Sequence, residues 1–309
     1  MADDLALSNR LVGAEGVDVE VKPTVFIGLG GTGQEVLLRL RRRILQQPWG
    51  PNRKRLASMA EFPVASFLYF DTDTASGGES DRARRTDPMS AVVAFDQGER
   101  LQEKVDVGYY QRELATKPHI AEWLPSADLS RIDTGKGAGQ VRAISRLLFF
   151  HMYSRFRQKL DAKSQAVLQN VTNQHLLDEL GLAISPDLRI VVIASTAGGT
   201  GSGAFIDVGY ACSSLRIGDR APQVDLFLML PGGYAEKDRE RVFANTYAGL
   251  SELEHAMRPG STPPYVERWG EFAENRATSP YTDVYLVDTM NLLGQATGKA
   301  DDIFDMLAD

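Results

Sequence analysis

Two glycine-rich turns set the tightest limit on how this chain folds. Gly28-Leu29-Gly30-Gly31-Thr32-Gly33 follows the apolar run Thr24-Val25-Phe26-Ile27. Gly198-Gly199-Thr200-Gly201-Ser202-Gly203 follows Arg189-Ile190-Val191-Val192-Ile193-Ala194-Ser195. Each turn leads into apolar residues at helical spacing. Glycine lets the backbone turn sharply and approach a ligand closely, and the helix N-terminus beyond it offers unpaired N–H groups to an anion. Two strand–turn–helix units, the second with Thr and Ser between its glycines, point to a nucleotide whose phosphates are held from two sides.

The rest of the chain alternates in the same way. The first helix is expected over residues 33–46, with Val36, Leu37, Leu40 and Ile44 on one face, ended by Pro48-Trp49-Gly50-Pro51. A strand over 64–70 ends at Asp71-Thr72-Asp73, which makes a βαβ unit with parallel strands. Residues 75–134, charged and broken by glycine and proline, read as a surface insertion with short helix near 96–105 and 110–116. A third glycine loop, Gly135-Lys136-Gly137-Ala138-Gly139, opens a helix over 141–160, and another is expected over 163–180. Strands at 189–194, 224–230 and 283–287 and helices at 204–215 and 239–257 follow, with a loop at 258–281 and a last helix from about Ala300. Residues 1–22 read as a polar leader. This pattern predicts an α/β, three-layer, Rossmann-like domain with a mostly parallel sheet over 23–309.

Composition narrows the function. The net charge of −7 argues against a broad nucleic-acid surface, and the basic runs at 39–43 and 82–85 read as a solvated helix face and a charged loop. One cysteine, Cys212, excludes an intrachain disulfide and reads as a small buried residue. The four histidines have no metal-ligand spacing, no apolar run is long enough to span a membrane, and the N-terminus has no signal-peptide core. A cytoplasmic location is expected.

The residues with chemical potential all follow strands, which in an open α/β sheet places them along one edge, around one crevice. Gly28, Gly30 and Gly33 fit the dinucleotide fingerprint, so an NAD-dependent Rossmann oxidoreductase is an alternative. The acid that would bind ribose is expected about 20 residues on, but here the next strand ends only at Asp71. No glycine turn continues into Lys-Ser or Lys-Thr, so there is no Walker A loop. Phosphate charge is then left to backbone N–H groups, helix dipoles and Mg2+.

At this point the motif set resembles the tubulin/FtsZ superfamily, and within it the bacterial tubulin-like proteins with long extra regions. Ala197-Gly198-Gly199-Thr200-Gly201-Ser202-Gly203 resembles the signature phosphate loop, with Ala197 in place of its first glycine. Residues 28–34, through Gln34, resemble the first nucleotide loop. Asp71-Thr72-Asp73 is similar to an Asn-Thr-Asp stretch, and Gly137-Ala138-Gly139 with Arg142 resembles the loop facing the terminal phosphate. Pro231, Tyr234, Glu236 and Arg239 approximate a loop over the ribose, while Asn245 and Asn291 fall near residues that meet the guanine base.

The resemblance implies GTP or GDP as ligand, with Thr200 and Ser202 adding hydroxyls and Asp71 and Asp73 orienting Mg2+ or its waters. Plainer roles remain open: the two aspartates as loop caps, Asn245 as a helix-surface residue, and Glu236 with Arg239 as a solvent pair. The resemblance also implies head-to-tail self-association, with hydrolysis completed in trans by an acidic loop beyond the long central helix. The sequence stops near the start of that helix and no residue matches the catalytic acid. A GTPase weak or inactive as this chain alone is therefore expected, and a non-hydrolysing scaffold using 75–134 to meet a protein partner is the alternative.

Overall fold

The computed structural model describes residues 19–74, 88–127, 129, 137–169, 178–234, 239–258, 265–269, 272–276, 279–289 and 298–309. In chain order the elements are β1 (Val19–Val21), β2 (Thr24–Leu29), α1 (Gly30–Gln46), β3 (Ala65–Asp71), α2 (Pro88–Val93), β4 (Arg100–Gln102), α3 (Val107–Arg112), α4 (Pro118–Ala121) and α5 (Arg142–Gln169). They continue with β5 (Leu182–Ile184), β6 (Arg189–Ser195), α6 (Thr200–Ser213), β7 (Gln223–Met229), α7 (Arg239–Met257), β8 (Tyr265–Trp269), β9 (Phe272–Arg276), β10 (Asp283–Val287) and α8 (Ala300–Ala308).

The main sheet has the order β10-β7-β6-β2-β3-β4, and every neighbouring pair is parallel. Parallel strands are covered on both faces, so alternate residues must feed two cores. Val25, Ile27, Leu68, Phe70, Ile190, Val192, Leu226 and Leu228 meet Leu148, Phe149 and Phe156 of α5 and Phe205 and Val208 of α6. On the other face Phe67, Tyr69, Val191, Ile193 and Met229 meet Val36, Leu37 and Leu45 of α1 and Phe304 of α8. The three layers are those expected from the alternation of elements. Cys212 is fully buried in the first core, as its apolar setting indicated.

The chain runs outward from β2 to β3 and β4, then returns to place β6 on the other side of β2. Strand order therefore reverses between β2 and β6. Ligands of open α/β sheets bind at such a switch, outside the carboxyl ends of the strands. The two glycine turns leave these two neighbouring strands.

Several expectations are corrected. Residues 19–21, at the end of the supposed leader, form a strand paired with β5; residues 1–18 lie outside the described part. Residues 96–105 hold no helix. They turn at Asp96–Glu99 and contribute β4, the sixth strand, whose Leu101 is buried. Val107, Tyr110, Ile120 and Leu124 also reach the core, so this stretch is partly integral to the domain. One 28-residue helix over 142–169 runs through the break expected at 161–162, because no Gly or Pro interrupts it there and Ser164 and Val167 prolong its buried stripe; residues 170–177 lie outside the described residues. Inside the expected loop, Tyr265–Trp269 and Phe272–Arg276 pair as the antiparallel strands β8 and β9.

The basic run on α1 is not wholly solvated either. Arg41 is buried, its guanidinium between the rings of Phe67 and Phe95 at 5.0 and 5.2 Å, with Nη1 donating to both carboxylate oxygens of buried Glu99 at 2.8 and 2.7 Å. This pair ties α1 to the turn before β4. Removing one member leaves the other charge buried and unpaired, at a cost of about 3–5 kcal/mol. Glu99→Ala is expected to lose that much in urea unfolding. Arg41→Met combined with Glu99→Leu is expected to regain most of it, and equal losses in the single and double variants would show that the charge pair is not what matters.

Candidate functional site

Five loops converge around the switch point. The first turn begins at Gly30, where φ is +67°, a left-handed angle that favours glycine, and where a Cβ would lie 3.2 Å from the Thr200 Cβ of the second turn. Glycines of the two turns have two different tasks. A Cβ on Gly33 would fall 2.5 Å from the Gly28 backbone, one on Gly199 2.7 Å from the Ala138 Cβ, and one on Gly201 2.9 Å from the Ser195 carbonyl. These positions exist for close packing. A Cβ on Gly31 or Gly198 would meet nothing within 4 Å. Those two glycines border open space, one in each turn.

Thr200 is the hub that joins the loops. Its hydroxyl donates to Asp71 Oδ1 at 2.7 Å and shares a 2.7 Å hydrogen bond with the Thr72 hydroxyl, while Ser145 Oγ donates to its carbonyl at 2.7 Å. Asp71 also accepts from the Tyr69 hydroxyl at 2.6 Å and from Asp73 N at 3.2 Å. Burial pushes the Asp71 carboxyl above its ordinary pKa, opposed by the hydrogen bonds from Tyr69 and Thr200. The third loop sits against this hub: a Cβ on Gly137 would lie 3.7 Å from the Asp73 Cβ, and Gly137, Gly139 and Gln140 all take positive φ. Asn245 Nδ2 of α7 donates to the Gln140 carbonyl at 3.0 Å, so this side chain holds the third loop.

The loop after β7, a 3-10 turn over Pro231–Tyr234, closes the ring of contacts. The Tyr234 hydroxyl hydrogen-bonds Thr32 of the first turn, and burial raises its pKa. Thr196 pairs with Thr246 of α7 at 2.8 Å. Of the expected site residues, Gly28, Gly30, Gly31, Thr32, Gly33, Asp71, Asp73, Gly137, Ala138, Gln140's neighbour Gly139, Ala197, Gly198, Gly199, Thr200, Gly201 and Pro231 lie in these loops. Gln34 is buried in α1. Arg239 is exposed at the start of α7, over the Phe243 ring at 5.8 Å. Ser202 is fully buried on the other side of α6, toward Gly249 of α7, and Arg142 turns the same way, donating from Nε to the Ser202 carbonyl and pairing with Glu252. Glu236 and Asn291 lie outside the described residues.

A sequence profile of the family described as "Tubulin like" matches residues 25–309. The chain belongs to the tubulin-like family. No curated protein matches this tubulin-like chain. Among solved structures it is similar to CetZ2 from Haloferax volcanii in a GTPγS-bound protofilament, at 16% identity and a TM-score of 0.46, with 92% of this chain and 55% of that one covered. It is also similar to TubZ from Bacillus thuringiensis serovar israelensis in a GTPγS-form protofilament, at 15% identity and a TM-score of 0.47, with 92% and 54% covered. The tubulin-like chain thus spans little more than half the length of these structures.

The electrostatics of the loops favour an anion. Helix α1 is 17 residues long and α6 is 14, and both N-termini open on the crevice beside Gly31 and Gly198. Neither has a side-chain cap or an acidic residue in its first turn. Their first N–H groups and the positive ends of their dipoles are left for something else, and an anion is the natural complement. Among the described residues no group of three or more His, Cys, Asp or Glu side chains is placed to hold a metal ion.

Sequence reasoning passed over Gln140, Ser145 and Thr196. Their contribution is a backbone or hydroxyl contact across a long sequence separation, with no motif to announce it. The Thr200 hub makes a direct prediction. Thr200→Val removes a donor from the buried Asp71 carboxylate and is expected to cost about 1–3 kcal/mol at neutral pH. Because the lost bond had lowered the Asp71 pKa, the deficit is expected to shrink as pH falls and the carboxyl becomes protonated. Urea unfolding at several pH values checks this, with Thr200→Ser expected to stay close to the parent; a deficit independent of pH would detach the effect from Asp71.

Proposed function

We propose that residues 23–309 form the guanine-nucleotide-binding domain of a tubulin-like protein, with the phosphates of GTP or GDP in the crevice between β2 and β6. The observation that carries this reading is the open space beside Gly31 and Gly198, at two uncapped helix N-termini flanking the reversal of strand order. Backbone N–H groups of both turns would hold the phosphates, with residues 137–140 as the third wall. Family membership favours GTP among nucleotides. A dinucleotide reading is less well supported, since the acid that would bind its ribose, Asp71, is turned inward onto Thr200 and Tyr69.

Mg2+ would spread the phosphate charge as a Lewis acid when bound. Asp73, half-buried next to Gly137, is the carboxylate that fits this task through bound waters, while Asp71 spends its oxygens on the hub. Hydrolysis is proposed to be linked to head-to-tail self-association and completed in trans by a C-terminal region beyond this chain. Without the group that positions water, turnover is expected to fall by about 10² to 10⁴. Among the described residues no helix is long and apolar enough to cross a membrane.

The test is competition against a fluorescent GTP analogue with Mg2+, using GTP, ATP and NAD. GTP is expected to displace it selectively. Gly31→Asp and Gly198→Asp each place a carboxylate in the open space without touching the packing, and each is expected to weaken GTP binding by about 100-fold, some 2.7 kcal/mol, with unchanged melting curves. Undiminished binding in both variants, or displacement by NAD in preference to GTP, would overturn the reading.

A further inference from the structure

The main sheet ends differently on its two sides. The outer strand β4 is three residues long, and its Leu101 is buried. On the other side lies β10, with β7 as its one neighbour among the described residues. A parallel strand ordinarily has both faces covered. Here Tyr285 is 44% exposed on one face of β10 and Leu286 is 53% exposed on the other. The Tyr285 ring stacks on Phe227 of β7 at 4.6 Å, which fixes it beside the edge. Edge strands of native sheets are blunted by lysine, proline or a bulge. β10, Asp-Val-Tyr-Leu-Val, has neither lysine nor proline, and its pairing with β7 is unbroken from Asp283 to Val287.

One bond gives the direction of its free backbone groups. Leu230 N, just past β7, donates to the Val287 carbonyl at 2.8 Å. Backbone groups alternate sides along a strand, so those of Val287, Tyr285 and Asp283 face β7. Those of Val284 and Leu286 face outward. Another strand is what completes such a row of donors and acceptors, and exposed apolar side chains on both faces give that strand something to pack on.

We propose that β10 pairs antiparallel with β10 of a second copy, across a two-fold axis at Tyr285, the middle residue. The pairing is self-complementary. On each side of the axis Val284 meets Leu286 of the copy, and these outward-facing residues exchange both N–H···O bonds. Tyr285 faces its own copy in the closer, non-hydrogen-bonded pairing, which adds a cross-strand aromatic contact. Asp283, the only charge in the strand, meets Val287, so no like charges oppose. The contact closes on itself, unlike head-to-tail association. It is also separated from the β2–β6 crevice by β7, so it does not rest on the nucleotide reading. One short strand pair is small beside a standard interface of about 1,600 Å², so the dimer is weak and concentration-dependent.

Sedimentation velocity of the full chain without nucleotide tests it. A monomer–dimer equilibrium that goes no further is expected. Leu286→Lys and Tyr285→Lys place a charge on the exposed edge, and each is expected to weaken the dimer by about tenfold or more, with unchanged melting curves. Met306→Lys, at an equally exposed apolar residue of α8, is expected to leave it intact. Tyr285→Cys reads the register: the two-fold brings this position within disulfide reach of its copy. Mild oxidation is expected to give a covalent dimer there and none with Met306→Cys. The native Cys212 is fully buried and takes no part. A chain that stays monomeric at every concentration, undiminished dimer in both edge variants, or cross-linking no greater at Tyr285 than at Met306 would overturn the proposal.

Discussion

Burying a carboxylate beside the end of a parallel strand is costly unless its oxygens are met by donors. Asp71 is in that position, and the donors that meet it come from its own strand, from its own loop and, through Thr200, from the other side of β2. The bond from Thr200 spans 129 positions of sequence, and it can form only if β3 and β6 flank β2 in register. Thr72 shares the same hydroxyl and Ser145 fixes the Thr200 carbonyl, so α5 and the start of α6 are drawn to one point. The loops around the crevice inherit their positions from this junction.

Packing at the glycines does the complementary work. Contacts between Gly28 and Gly33 and between Gly199 and Ala138 bring backbones closer than any side chain allows, which leaves the helix N-termini aimed at the same space. A conserved pattern of small residues is not needed to see this; the distances to an added Cβ separate packing glycines from those that border the opening. The outcome is a crevice with backbone donors, helix dipoles and no competing carboxylate in either first turn. Nucleotide phosphate is the anion proposed for this arrangement.

Much of this was legible in the sequence because it depends on local rules. The apolar runs of β2, β6 and β10, the helical spacing of α7 and α8, and the glycine turns that follow strands all lie within short windows. Strand-end loops in a parallel sheet share an edge by topology, so the crevice followed from order alone. Features set by distant contacts did not. Three residues of β4 are too few to show a period, and they form a strand only because β3 offers an open edge. Arg41 sits in a basic run that reads as solvated, and only the fold brings Phe67, Phe95 and Glu99 around it. Asn245 is expected near a base from the resemblance; its partner in the structure is the Gln140 carbonyl, a backbone group no motif marks. The glycine motif also does not say that Thr200 and Ser202 face opposite ways, one onto Asp71 and Thr72 and one buried toward α7.

The central claim is that backbone N–H groups at the two uncapped helix starts hold the phosphates. Amide hydrogen exchange of the chain with Mg2+, measured with and without saturating GTP, tests it at the residues concerned. Selective protection of residues 30–33 and 198–201, extending to 137–140, is the predicted result. GTP binding that leaves these amides exchanging at their original rates would contradict it and place the nucleotide elsewhere on the molecule.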